Sequence, residues 1–166
     1  MSPSEFISIA EEIGLIVDLG MFVMDQTAKQ LAVWQRAMRS REPIFASVNV
    51  SSRQLLRHDL LHDVKAVLTR SGVIRGTLKL ELTESLVMEN PEFAAQMLAR
   101  IRDLGAGLSL DDFGTGYSSL AALREYPINQ LKIAKPFIDE LGYDSDAAAF
   151  VQAIVALART LDLDIV

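Results

Sequence analysis

Four short apolar runs, each carrying or leading into polar or charged side chains and each followed by a helical pattern, constrain this chain more than any other feature. Residues 44–51 form a β-branched run that ends in Asn49, Val50 and Ser51. Residues 78–85 alternate apolar and polar side chains and carry Glu81 and Glu84 at their end. Gly107-Leu108-Ser109-Leu110 leads into the pair Asp111-Asp112, and Gln130-Leu131-Lys132-Ile133 carries a lone lysine. Strands that alternate with helices imply βαβ units and a parallel sheet. Chemistry in such folds gathers at the carboxyl ends of the strands. Asn49, Glu81, Asp111, Asp112 and Lys132 are all expected there.

The Asp pair is the sharpest of these signals. Adjacent carboxylates repel, so a pair at a strand end calls for a cation to hold it. Successive side chains of a strand point to opposite faces, so Asp111 and Asp112 can share a site only if the strand bends. Two metal ions, or one ion and a polar anchor, would also meet that geometry. The competing reading is a solvated turn, because Phe113-Gly114-Thr115-Gly116 follows at once. Lys132 has a plain reading too, as a surface strand residue paired with an acid.

Bulk properties narrow the function classes. With 166 residues, half of them apolar, the chain is read as one domain with one substantial core. It has no cysteine, which excludes disulfides and thiolate metal sites and fits a reducing compartment. A net charge of −6 argues against a nucleic acid polymer as partner but leaves room for a small phosphate ligand held through metals. No apolar stretch has the length of a membrane span and no signal-peptide pattern opens the chain, so it is expected in the cytoplasm, or as the cytosolic domain of a membrane-anchored parent.

The helices are punctuated by caps. Ser2-Pro3-Ser4-Glu5 reads as a capping box with proline at the first helical position, and that helix stops near Gly14. A longer helix is expected over about 15–38, with Leu19, Phe22, Val23, Leu31 and Trp34 as its buried stripe. Ser51 and Gln54 form a second box, opening a helix interrupted near Asp59 and stopped by Gly72. Asn90-Pro91 opens another, which Gly105 stops; a short one follows the Gly114 loop and ends before Pro127. The last runs from about 145 to 161, with Phe150, Val151, Ile154, Val155 and Leu157 inward, and residues 163–166 look like a strand.

Other patterns have simpler readings. His58-Asp59-Leu60-Leu61-His62 has the spacing of a zinc-protease helix but lacks an evident third ligand. Gly114-Thr115-Gly116 is a fragment of a phosphate loop, more simply a sharp turn beside the acids. The six methionines and Trp34 read as core, and Arg36, Arg39 and Arg41 as complements to a helix dipole.

Asn49-Val50-Ser51, Glu81-Leu82-Thr83-Glu84-Ser85, residues 111–119 and Leu131-Lys132-Ile133 resemble, in order and spacing, the motifs of EAL domains, the cyclic di-GMP phosphodiesterases of bacterial signalling. The opening Pro3-Ser4-Glu5-Phe6-Ile7 and residues 10–16 resemble the segment just after the family's name motif. The likeness extends over the whole chain. It implies an α/β fold, a TIM-like (β/α) barrel of the EAL type, and hydrolysis of one phosphodiester of cyclic di-GMP by two-metal catalysis to give pGpG. It also implies Asn49, Glu81, Asp111 and Asp112 as ligands of Mg²⁺ or Mn²⁺, with Lys132 and Asp112 in the catalytic apparatus. Lys132 would stand near the attacking water and the phosphate. Glu84 would anchor the loop of residues 113–119, and Pro3 would lie against the guanine region of the ligand.

By the same resemblance, the chain starts after the Glu-Ala-Leu motif and stops before the segment that carries a candidate general base. Residues 1–166 are therefore expected to be one incomplete EAL domain, lacking the first and last strands, and to hydrolyse little by themselves. Ala134 departs from the family, which usually has Asp after Lys-Ile. The alternative is a degenerate EAL module that binds cyclic di-GMP or a protein partner without turnover. A homodimer is expected, with Tyr117, Leu120, Leu123 and Tyr126 as an apolar contact stripe, and sensory or GGDEF domains are expected in the parent protein.

Overall fold

The computed structural model describes residues 2–38, 43–57, 59–115, 120–142 and 145–166, and within these not the side chains of Ser4, Leu120, Ala121, Ala122 and Ser145. The chain runs α1 (Pro3–Glu12), α2 (Ile16–Ala37), β1 (Ala46–Asn49), α3 (Ser52–Leu55), α4 (Leu60–Ser71), β2 (Leu78–Thr83) and α5 (Glu84–Glu89). It continues through α6 (Pro91–Leu104), β3 (Gly107–Phe113), α7 (Leu120–Glu125), β4 (Gln130–Ile133), α8 (Lys135–Asp139), α9 (Ser145–Thr160) and β5 (Asp164–Ile165). The strands form one parallel sheet in the order β1-β2-β3-β4-β5, as the alternating pattern implies. None of the described helices is long and apolar enough to cross a membrane.

Two compact units divide the chain. The first comprises Met1–Leu80 with Arg100–Gly107, the second Glu81–Ala99 with Leu108–Val166. In the first, both capping boxes are present: Ser2 Oγ accepts from the Glu5 amide while Glu5 Oε2 accepts from the Ser2 amide, and Ser51 and Gln54 do the same at α3. Gly72 ends α4 in the left-handed conformation, φ 66°. The core of this unit includes Met24, Leu31, Val48, Leu55, Leu60, Val64 and Val67.

The buried stripe of α2 differs from the expected one. The helix buries Ile16, Gly20, Met24, Ala28, Leu31 and Ala32. Of the expected five residues only Leu31 is buried; Leu19 is half-buried, and Phe22, Val23 and Trp34 are exposed. Both faces of α2 carry apolar residues, and the face with the smaller side chains is the one that packs. Closeness explains the choice, because a Cβ at Gly20 would stand 2.1 Å from Gln54 Nε2. The methionines divide likewise: Met24 and Met97 are core, whereas Met38 is exposed.

In the second unit, Leu82, Leu86, Val87, Leu98, Leu108, Leu110, Leu131 and Ile154 are buried. The inward face of α9 is Ala147, Ile154 and Ala158. Phe150, expected inward, is 39% exposed, its ring packed on Phe137 at a centroid distance of 4.6 Å. Val151, Val155 and Leu157 are half-buried. Leu123 and Tyr126, expected on an outward contact stripe, are buried within this unit instead, and the Tyr126 hydroxyl donates to Val87 O at 3.2 Å. Tyr117 and the Leu120 side chain lie outside the described residues, as do Arg39, Arg41 and His58. Helix α4 begins only at Leu60, and Asp59 is its N-cap residue, so the described residues lend the zinc-protease pattern no support.

Candidate functional site

Glu81 and Asp111 occupy the carboxyl-terminal halves of β2 and β3, and Lys132 lies on β4. Lys132 Nζ donates to Glu81 Oε2 at 3.1 Å and to Asp111 Oδ2 at 2.9 Å. Glu81 is 7% exposed, so its charge would be costly to bury without that partner. Burial alone would lower the lysine pKa, but the hydrogen bonds that Lys132 donates to Asp111 and Glu81, with the charges of both, outweigh it and raise the pKa above the ordinary lysine value. Lys132 is thus a cation at physiological pH and no proton acceptor. Of the plain reading of Lys132, a surface strand residue paired with an acid, the pairing is present but the side chain is half-buried, and the acids it pairs with are two of the candidate ligands.

The Asp pair makes the bend that strand geometry demands. Leu110 of β3 pairs with Leu131 and Phe113 with Ile133, so Asp111 and Asp112 together stand opposite the single residue Lys132. This extra residue is a β-bulge, a device that re-aims side chains beside active sites. Asp112 absorbs it at φ 54°, in the left-handed region. Its amide donates to Asp111 Oδ1 at 3.0 Å, so the Asp111 carboxylate is oriented by Asp112 on one oxygen and Lys132 on the other.

Glu84, 1% exposed at the start of α5, accepts from the Gly114 amide at 2.9 Å. Gly114 has φ 99°, and a Cβ there would come within 2.9 Å of Phe137 and 3.0 Å of Phe150, so both conformation and space require glycine. The turn after the Asp pair is therefore held by one carboxylate and seated on two rings. Residues 116–119 of the loop lie outside the described residues. Asn49 closes β1 in the first unit and is exposed; Pro3 is the first residue of α1 and is exposed. What the structure brings together is Glu81, Asp111 and Lys132, with Asp112 adjacent.

Ser109 and Gln130 escaped the sequence reading. They precede Asp111 and Lys132 by two residues, hence share their strand faces, and are register partners across β3 and β4. Ser109 is 0% and Gln130 3% exposed, and Ser109 Oγ has no hydrogen-bond partner among the described residues. Strand alternation, applied backwards from each charged residue, would have found this polar tier.

The donor set suits a hard divalent cation: carboxylate oxygens, no cysteine, and a residual negative charge on Glu81 and Asp111 after one ammonium is counted. Among the described residues no three His, Asp or Glu side chains lie close enough to hold an ion by themselves.

The sequence model of the family described as EAL domain matches residues 1–166. The bifunctional diguanylate cyclase/cyclic di-GMP phosphodiesterase MucR of Pseudomonas aeruginosa is 42% identical over the whole chain, which covers 24% of that protein. The cyclic di-GMP phosphodiesterase PdeR of Escherichia coli is 38% identical over 99% of the chain, again 24% of that protein. The chain thus spans about a quarter of the length of these relatives. A solved structure, the PaMucR phosphodiesterase in complex with c-di-GMP, superposes with a TM-score of 0.92 at 41% identity, covering 99% of this chain and 66% of that one. The EAL domain of Mycobacterium smegmatis DcpA matches with a TM-score of 0.79 at 33% identity, over 89% of this chain and 66% of that one. The fold is therefore the TIM-like α/β fold of these domains. Matched by the family over its full length, and with the Glu81, Glu84, Asp111, Asp112 and Lys132 motifs in place, the chain belongs to the EAL domain family.

Proposed function

We propose that this chain belongs to a metal-dependent phosphodiesterase that hydrolyses cyclic di-GMP to pGpG in bacterial second-messenger signalling. The observation that carries this reading is the cluster in which Lys132 joins Glu81 and Asp111 at the ends of parallel strands. The relatives named as cyclic di-GMP phosphodiesterases, and the c-di-GMP complex of one, support the substrate. Asn49, Glu81, Asp111 and Asp112 would hold Mg²⁺ or Mn²⁺, which supplies Lewis acidity toward the phosphate and acidifies water. Lys132 places a positive charge where negative charge develops on the phosphoryl oxygens. Asp111 is oriented before the substrate arrives, by Asp112 and Lys132. Glu84 holds the turn at Gly114, and Pro3 is assigned to the guanine region.

The greater length of the relatives, one named as a diguanylate cyclase as well, supports further domains such as sensory or GGDEF domains in the parent protein. A homodimer and a cytoplasmic site of action complete the proposal. A second reading, a module that binds cyclic di-GMP or a protein without turnover, is favoured by two features. Among the described residues Glu81 and Asp111 alone of the candidate ligands converge on Lys132, and Ala134 departs from the Asp that the resemblance implies there. The deciding experiment supplies the full-length protein with cyclic di-GMP and Mg²⁺ or Mn²⁺ and resolves the products by chromatography. The expected result is pGpG, with Asp111→Asn lowering kcat on the order of a hundredfold or more. Binding of cyclic di-GMP without any pGpG would establish the second reading.

A further inference from the structure

Lys132 Nζ stands within hydrogen-bond reach of Glu81 Oε2 and Asp111 Oδ2 at once. One ammonium thus holds two carboxylates that would otherwise repel each other. The Lys132 side chain is 27% exposed, that of Asp111 21% and that of Glu81 9%, so solvent screens this triad only in part. A divalent ion on the same two carboxylates meets a positive charge hydrogen-bonded to its own ligands, and like charges a few ångströms apart repel strongly in such surroundings.

We propose that Lys132 competes with the metal for its own site: its ammonium holds Glu81 and Asp111 in the metal-free protein and gives up at least one of them when a divalent ion binds. The inference rests on the reading of Glu81 and Asp111 as metal ligands. It makes one residue responsible both for order in the empty site and for a weakened hold on the ion. Metal occupancy then responds to the metal concentration rather than staying saturated. Lys132 comes from β4 and its two partners from β2 and β3, so exchange of partners needs only side-chain motion and no movement of the strands.

Calorimetric titration of the full-length protein with Mn²⁺ alone, without nucleotide, tests this. Lys132→Met is expected to bind Mn²⁺ on the order of tenfold more tightly than the parent, since it removes a like charge from the ligands. Lys132→Arg keeps the charge and is expected to stay near the parental affinity. Mn²⁺ binding by Lys132→Met that is equal or weaker overturns the competition while leaving the ligand reading intact. Failure of the parent and of Lys132→Met to bind Mn²⁺ at all removes the ligand reading, and the competition with it. A second measurement needs no substitution: the ¹⁵N resonance of the Lys132 ammonium is followed as diamagnetic Mg²⁺ is added. Its shift on saturation is expected; an unchanged resonance, with Mg²⁺ binding proved by calorimetry, overturns the proposal.

Discussion

Asp112 shows what one residue can hold in tension. A non-glycine at φ 54° costs roughly 1–2 kcal/mol of backbone strain, and the bulge that imposes it also turns Asp111 toward Lys132. Asp112→Gly is therefore expected to raise the unfolding free energy by about 1 kcal/mol while, on the proposed function, hydrolysis of cyclic di-GMP by the full-length protein falls steeply. Chemical denaturation beside a pGpG assay checks both halves. A loss of stability would mean that the Asp112 side chain holds the bulge in place. Ser109 tests the tier beneath. Its hydroxyl is fully buried and has no partner among the described residues, and an unsatisfied buried group costs roughly 1–3 kcal/mol. Ser109→Ala is expected to be neutral or stabilising by about 1 kcal/mol. A clear drop in melting temperature would show that the hydroxyl has a partner after all.

At the scale of elements, the sequence was most legible where capping chemistry is local. Both capping boxes, the Gly72 and Gly105 stops and the Asn90-Pro91 start are read from residues whose effect is confined to one turn. The face of α2 was misread because burial there is decided by a neighbour far along the chain. Gln54 reaches over Gly20, while its Oε1 accepts from the Ser51 amide at 3.2 Å. Gly20→Ala adds about 1 kcal/mol of helix propensity but drives a Cβ into the Gln54 amide. Overpacking of about 1–3 kcal/mol and loss of the α3 cap, about 1 kcal/mol, outweigh the gain. A net loss of roughly 1–3 kcal/mol is expected by denaturant titration, and Gln54→Ala should restore part of it in the double variant. Helix α8 went unread because its start has no polar cap. Ala134 is its N-cap residue, without a side-chain hydrogen bond. Ala134→Asp is expected to gain about 1 kcal/mol in thermal unfolding. A loss instead would mean that burial of the carboxylate outweighs the cap.

For the molecule as a whole, the parallel sheet and the gathering of Glu81, Asp111 and Lys132 at the strand ends were legible because parallel βα units place strand termini on one side whatever the details. The positions of Leu123 and Tyr126 were not, since an apolar stripe on a short helix reads the same whether it meets a partner or its own core. Tyr126 lies in that core at 7% exposure. Burial first, and then the negative charge of Glu125, raises its pKa above the ordinary value of 10.0. The unfolded chain therefore releases this proton before the folded one does, so stability is full below pH 10.0 and falls as pH rises through the higher folded value. Tyr126→Phe lacks both this proton and the hydrogen bond to Val87 O. At pH 8 the variant is expected to be about 1 kcal/mol less stable than the parent, the net worth of one buried hydrogen bond. Above pH 10 the gap should narrow, because only the parent has the alkaline limb. Urea unfolding of both proteins between pH 8 and 11 measures the difference directly, and a gap that stays constant across that range would show that Tyr126 does not carry the linkage.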